Sequence, residues 1–190
     1  MKSETSAGPR GYADAVDETS ITERAGLIVE AVDFSNPEQG RALLQLLNAY
    51  ALDPMGGGEA LPQATEERLL TEMAKREGIY SFIAYVDAVA VGLVNCVEGF
   101  STFAAQPLCN IHDIAVLPDY RGQGIARALM QRVCEHARTR GCCKVTLEVL
   151  TGNTRARNAY RSFGFKPYQL DPTLGAAEFW ELKLSPQQSA

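Results

Sequence analysis

Arg121-Gly122-Gln123-Gly124-Ile125-Ala126 is the stretch of this chain best suited to hold an anion. Its two glycines remove the Cβ atoms that would keep a ligand away from the backbone. An apolar run precedes it and a helical pattern follows. The first turn of that helix therefore offers unpaired N–H groups and the positive end of a helix dipole. Arg121 and Arg127 are placed to add charge-assisted bonds. The stretch lacks the Gly-Lys-Ser/Thr ending of a nucleotide P-loop and the three-glycine spacing of a dinucleotide-binding turn. A tight turn whose glycines serve geometry alone is the competing reading.

Two further groups carry chemical potential. Asn153 is a good helix N-cap, and Ala156, Ala159, Tyr160 and Phe163 follow at spacings that define one inward face. Tyr160 lies two helical turns beyond Asn153, so both point the same way, and the alanines leave a groove for a thin ligand. A core tyrosine with its hydroxyl tied to a carbonyl is the alternative. His112 and Asp113 interrupt the apolar run Asn110 to Val116, where polar groups are costly unless satisfied. Neighbouring strand residues face opposite sides, so these two make no dyad unless a bulge reorients them. Glu98 and Glu148 are lesser candidates that would serve equally as strand residues facing water. His136 is expected on the exposed side of its helix and inert, and Cys109, although close by, reads as a small core residue.

The elements that must position these groups follow from periodicity and breakers. Leu27–Val32 reads as a strand. A helix opens at Ser35-Asn36-Pro37-Glu38, with leucines 43, 44, 46 and 47 as its apolar stripe, and ends before the breaker cluster Asp53–Gly58. Thr65–Arg76 is a second helix. Tyr80–Val86 and Ala88–Val97 form a hairpin turning at Asp87. Leu108–Leu117 is a strand, and Gly124–Arg140 a helix with Ile125, Leu129, Val133 and Ala137 on one face. Lys144–Leu150 is a strand, Asn153–Phe163 a helix and Glu178–Leu184 a last strand. This order predicts one α/β domain over residues 23–186. Residues 1–22 and 187–190 read as tails, the first polar and without apolar periodicity.

Composition bounds the rest. The 190 residues suffice for one domain with a proper core, and 46% apolar against 22% charged excludes a disordered chain or a fibre. The N-terminus lacks the layout of a secretory signal, no run is long enough to span a bilayer, and five cysteines have no metal-ligand spacing. Reduced thiols, a cytoplasmic location, no membrane partner and no metal are therefore expected. The net charge of −5 divides into +8 over residues 121–166 and −13 elsewhere. One basic segment without interleaved aromatics suits a compact polyanion better than a nucleic acid.

Val116-x-Pro118-x-x-Arg121-Gly122-x-Gly124-Ile125-Ala126 resembles motif A of the GNAT acetyltransferases. Asn153-x-x-Ala156-x-x-Ala159-Tyr160-x-x-x-Gly164-Phe165 resembles that superfamily's second signature. Ala126 stands where glycine is commoner, a variation the pattern tolerates. The resemblance implies an α/β single-domain fold whose mixed, mostly antiparallel central sheet carries helices on both faces and splays its strands at an acetyl-CoA site. It implies that backbone groups of Ile114, Ala115 and Val116 hold the pantetheine and acetyl portions. The amides of Gly122, Gln123, Gly124, Ile125 and Ala126, beside Arg121, would hold the diphosphate. Asn153 would bond the pantetheine arm, and Tyr160 would sit by the thioester sulfur.

Acyl transfer to an amine needs a base, because an amine with a pKa near ~10.4 is mostly protonated at neutral pH. His112 and Asp113 are the candidates. It also needs donors for the developing oxyanion and an acid, Tyr160, that assists a thiolate already able to leave. The expected reaction is direct transfer in a ternary complex to a primary amine of a small molecule, cationic because the acceptor region belongs to the acidic part of the chain. The readings left open are a protein lysine or N-terminal acetyltransferase and a CoA-binding sensor without catalysis. The resemblance also allows a homodimer.

Overall fold

The computed structural model describes residues 26–171, 173, 175 and 177–184. Five strands, β1 (Leu27–Ala31), β2 (Ile79–Val86), β3 (Val89–Ser101), β4 (Gln106–Val116) and β5 (Val145–Leu147), lie side by side in chain order. All neighbours are antiparallel except β4 and β5, which are parallel. The helices are α1 (Pro37–Ala51), α2 (Gln63–Ala74), α3 (Ile125–Thr139) and α4 (Thr154–Phe163), with one 3-10 turn at Pro118–Tyr120.

Local chemistry sets the element ends. The Asn36 Oδ1 accepts from the N–H groups of Glu38 and Gln39 at 2.9 and 3.3 Å, and Pro37 needs no partner at the first helical position of α1. The β2–β3 turn puts Asp87 and Ala88 at φ 50° and 64°, the left-handed pair whose twist matches the flanking strands.

Strand alternation divides the core in two. Phe82, Val94 and Ile111 face α3, where Ile125, Leu129, Val133 and Ala137 are all buried, as their spacing predicts. Ile83 and Leu93 face the opposite way onto Leu43, Leu46 and Met73 of α1 and α2. Each fully buried Leu or Phe contributes about 2 kcal/mol. At Gly92 of β3 the first turn of α3 comes very close. A Cβ there would stand 3.0 Å from the Ala115 carbonyl oxygen and 3.3 Å from side-chain atoms of Ile125 and Leu129.

Two expected strands are corrected. The Lys144–Leu150 strand is only Val145–Leu147, because pairing with β4 stops at Ile111↔Leu147. Glu178–Leu184 forms no strand, and Phe179, Trp180, Leu182 and Leu184 stand exposed. A strand is made by a partner more than by composition, and among the described residues nothing pairs with the segment. The expected tails at 1–22 and 187–190 lie outside the described residues. No helix among the described residues is long and apolar enough to cross a membrane.

Candidate active site

The gap in the sheet organises the site. β4 stays paired with β3 as far as Val116, but its other edge loses β5 beyond Ile111. From His112 to Val116 that edge has no strand partner among the described residues, and of its backbone groups only the Val116 carbonyl is engaged, by Arg121. The parting coincides with a bulge. Asn95 lies opposite Asp113 and Cys96 opposite Ile111, so His112 is an extra residue in β4. His112 is exposed and Asp113 half-buried. They form no hydrogen bond with one another; instead Asp113 Oδ2 accepts from Asn95 Nδ2 at 3.0 Å.

At the top of the gap, Gly122 and Gly124 adopt φ 75° and 81°, a region costly for any residue with a Cβ. A Cβ built on either would meet nothing within 4 Å, so the space above the turn is open. Gly124 is the N-cap of α3 and supplies no side chain to the helix, leaving the first N–H groups to point into that space. The flanking side chains are engaged elsewhere, contrary to expectation for the guanidiniums. Arg121 donates from Nε to the Val116 carbonyl and from a terminal nitrogen to Asp53, both at 2.8 Å. Arg127 lies over the Phe163 ring at 5.5 Å, and Gln123 donates to the Asp119 carbonyl at 2.9 Å. The open space above the turn is thus faced by backbone rather than by guanidiniums, and Arg121 braces the turn from the side.

α4 presents its tyrosine as the spacing predicts. Asn153 caps it, accepting from the Ala156 N–H at 3.1 Å, which leaves the amide NH2 of Asn153 for a ligand. Tyr160 packs edge-on against Phe165 with ring centres 6.0 Å apart. Burial, and secondarily the nearby Tyr50, raises its pKa to about 12, so the phenol keeps its proton at neutral pH. Tyr50 of α1 is itself shifted upward, by burial first and then by Asp113 and Asp53. Tyr50 also lines a cleft with Leu46, Ala49, Ala115, Val116 and Arg121. The cleft therefore joins the end of α1 to the free part of β4.

The lesser candidates separate. Glu98 is committed to Arg140, whose Nε and terminal nitrogen both bond its carboxylate. Glu148, the first residue after β5, is held by the Asn110 amide at 3.1 and 3.2 Å from its two oxygens. His136 does not face solvent: it lies on Tyr80, ring centres 4.4 Å apart, and edge-on to Phe82, and burial lowers its pKa. Its place on the sheet-facing side of α3, three residues after Val133, could have shown this. Cys109 is fully buried in the core, and the five cysteines form no disulfide. The described residues gather no group of three or more His, Cys, Asp or Glu side chains fit to hold a metal. Sequence reasoning missed Tyr50, Asn95 and Ser81, which reach the site only through the sheet and α1.

A strand edge freed beside a glycine turn, with a protonated phenol nearby, sets the candidate site of this α/β domain where β4 and β5 part. The particular family follows from comparison: the acetyltransferase (GNAT) family profile matches residues 40–165, and the chain belongs to that family. An uncharacterized N-acetyltransferase of Archaeoglobus fulgidus is 40% identical over 42% of this chain and 55% of its own. Streptothricin acetyltransferase of Streptomyces lavendulae is 40% identical over 45% of this chain and 47% of its own. The chain thus spans about half the length of these curated relatives. An aminoglycoside acetyltransferase from an uncultured soil sample, solved with sisomicin, shares the fold. Its TM-score is 0.67 at 19% identity, over 84% of this chain and 98% of that one.

Proposed function

We propose that the protein transfers an acetyl group from acetyl-CoA to a primary amine of a small molecule, directly within a ternary complex. The observation that carries this reading is the uncapped first turn of α3, set over two left-handed glycines at the end of the parted strands. Bound there, acetyl-CoA supplies an activated thioester carbonyl. The amides from Gly122 to Ala126 hold the diphosphate by hydrogen bonding and by the helix dipole. The free edge of β4 at Ile114, Ala115 and Val116 pairs with the amides of the pantetheine arm, as a neighbouring strand would, and the Asn153 NH2 adds a donor. One of these backbone N–H groups receives the carbonyl oxygen as charge develops on it.

His112, exposed at the bulge, takes the proton from the attacking amine, a task suited to imidazole near neutral pH. Tyr160 assists the departing sulfur. With a pKa of about 12 against ~8.5 for a thiol, full proton transfer to the thiolate is uphill by about 5 kcal/mol. Tyr160 therefore works by donating a hydrogen bond more than by surrendering its proton. The likeness to streptothricin acetyltransferase supports a small-molecule amine as acceptor.

The test is thiol release from acetyl-CoA across a panel of free amines and of peptides, beside calorimetry with CoA. Turnover with amines and not peptides is expected. Absence of heat with CoA at millimolar concentration overturns the reading.

A further inference from the structure

Inside the sheet, between β2, β3 and β4, runs a line of polar side chains that the fold alone does not require. Ser81 on β2 donates from Oγ to the Asn95 Oδ1 at 2.6 Å, and Asn95 on β3 donates from Nδ2 to Asp113 Oδ2 at 3.0 Å. Ser81 is 1% exposed and Asn95 6%. Polar groups so placed are tolerated only when satisfied, and apolar side chains in their place would pack without that demand. The direction of the chain is fixed. With the Asn95 amide turned over, its oxygen would face the carboxylate of Asp113, so the NH2 must point to Asp113 and the hydroxyl of Ser81 must point to Asn95.

The line ends at a half-buried carboxylate two residues before Ala115, which faces the same side of β4 and lines the cleft with Tyr50. Two carboxylates act on that tyrosine, and they differ. Asp53 is neutralised by Arg121 at 2.8 Å. Asp113 has no cationic partner among the described residues, and only one of its oxygens is held. Asp113 is thus a carboxylate held from behind by Asn95, with one oxygen unbonded and no ion pair among the described residues.

Resting on the acetyl-transfer reading above, we propose that Ser81 and Asn95 are positioning residues that aim Asp113 at a second, non-reacting ammonium of the acceptor. The acceptor class is accordingly a diamine or polyamine-like cation rather than a monoamine. The reacting nitrogen loses its proton before attack, so a fixed negative charge serves it only at first. A cation that stays charged through turnover is held equally before and during reaction, which appears in KM rather than kcat.

Initial rates with 1,4-diaminobutane and 4-amino-1-butanol test this, together with equilibrium binding of each to the CoA-loaded protein by NMR titration. The wild-type protein is expected to prefer the diamine at least tenfold, through KM and through binding. Asp113→Asn keeps the bond from Asn95 and loses only the charge, so it is expected to abolish the preference. Asn95→Leu and the milder Ser81→Ala are expected to reduce the preference severalfold, with Ser81→Thr restoring it. If the wild-type protein turns over or binds both acceptors equally, or Asp113→Asn keeps the preference, the anchor is overturned while acetyl transfer stands. If Asn95→Leu and Ser81→Ala lower kcat on both acceptors alike and leave the preference intact, the positioning role is overturned. If CoA gives no heat and no amine releases thiol, the underlying reading falls and the anchor with it.

Discussion

On the face of the sheet that α3 covers, Phe82, Val94, Cys96, Cys109 and Ile111 are sealed from water. On the opposite face the same three strands pack Ile83 and Leu93 onto α1 and α2, and beside them carry Ser81, Asn95 and Asp113, joined by hydrogen bonds that cross strands. Both sides are thus held by packing, and the second adds a line of directional bonds between side chains. The dry face can lose a methyl group and still place the ligand cradle. The second face can lose a bond of that line and still be folded. On the proposal above, selectivity rests on that line, while stability rests on the packing of both faces.

The largest effect expected is on the dry face. Leu129→Ala should cost about 3–4 kcal/mol in denaturant unfolding, since a fully buried leucine leaves a cavity. CoA affinity and the choice of acceptor should be spared while the protein is folded, and a change in selectivity would break the division. Next is the cradle. Gly124→Val adds strain at φ 81° and fills the open space, so calorimetry should show CoA binding at least ~100-fold weaker, about 3 kcal/mol. Tyr160→Phe should lower kcat by about 30-fold, about 2 kcal/mol, with CoA affinity within about threefold. Equal loss of both would make Tyr160 a packing residue.

The smallest effect concerns Asp53, whose carboxyl is held below the usual range by the Met55 N–H first and then by Arg121. A depressed carboxyl contributes stability above its unfolded pKa, and the contribution is lost as pH falls through the folded one. Asp53→Asn should therefore cost about 1 kcal/mol at pH 6, a modest figure because the pair is partly exposed. The gap from the wild-type protein should close once pH has fallen through the lowered pKa of Asp53. A gap that persists there would show that the loop is held by something other than this charge.

What the sequence revealed depended on range. The glycine turn, the α3 stripe, the Asn153 cap and the position of Tyr160 are local, set by neighbours within a helical turn or two, and the structure has them where the pattern puts them. The bulge at His112 is a mismatch between β3 and β4, invisible in either strand alone. The Ser81–Asn95–Asp113 line joins residues 14 and 18 positions apart, and only strand register makes them neighbours. Arg121 looked like a ligand side chain because it adjoins the turn, but Asp53, 68 positions away, claims it. Glu178–Leu184 has a strand-like composition, yet composition cannot supply a pairing edge.

Gly92 leaves a consequence for how this chain tolerates change over generations. It lies in the middle of a strand, where an alanine would look harmless, yet the helix that carries the cradle rests directly on its missing side chain. A methyl group there would lift the start of α3 by a few tenths of an ångström while the rest of the domain stayed whole. On the acetyl-transfer reading, a lineage that lost this residue would disturb the turn that holds the donor before it disturbed the core, so failed chemistry would register ahead of a failed fold.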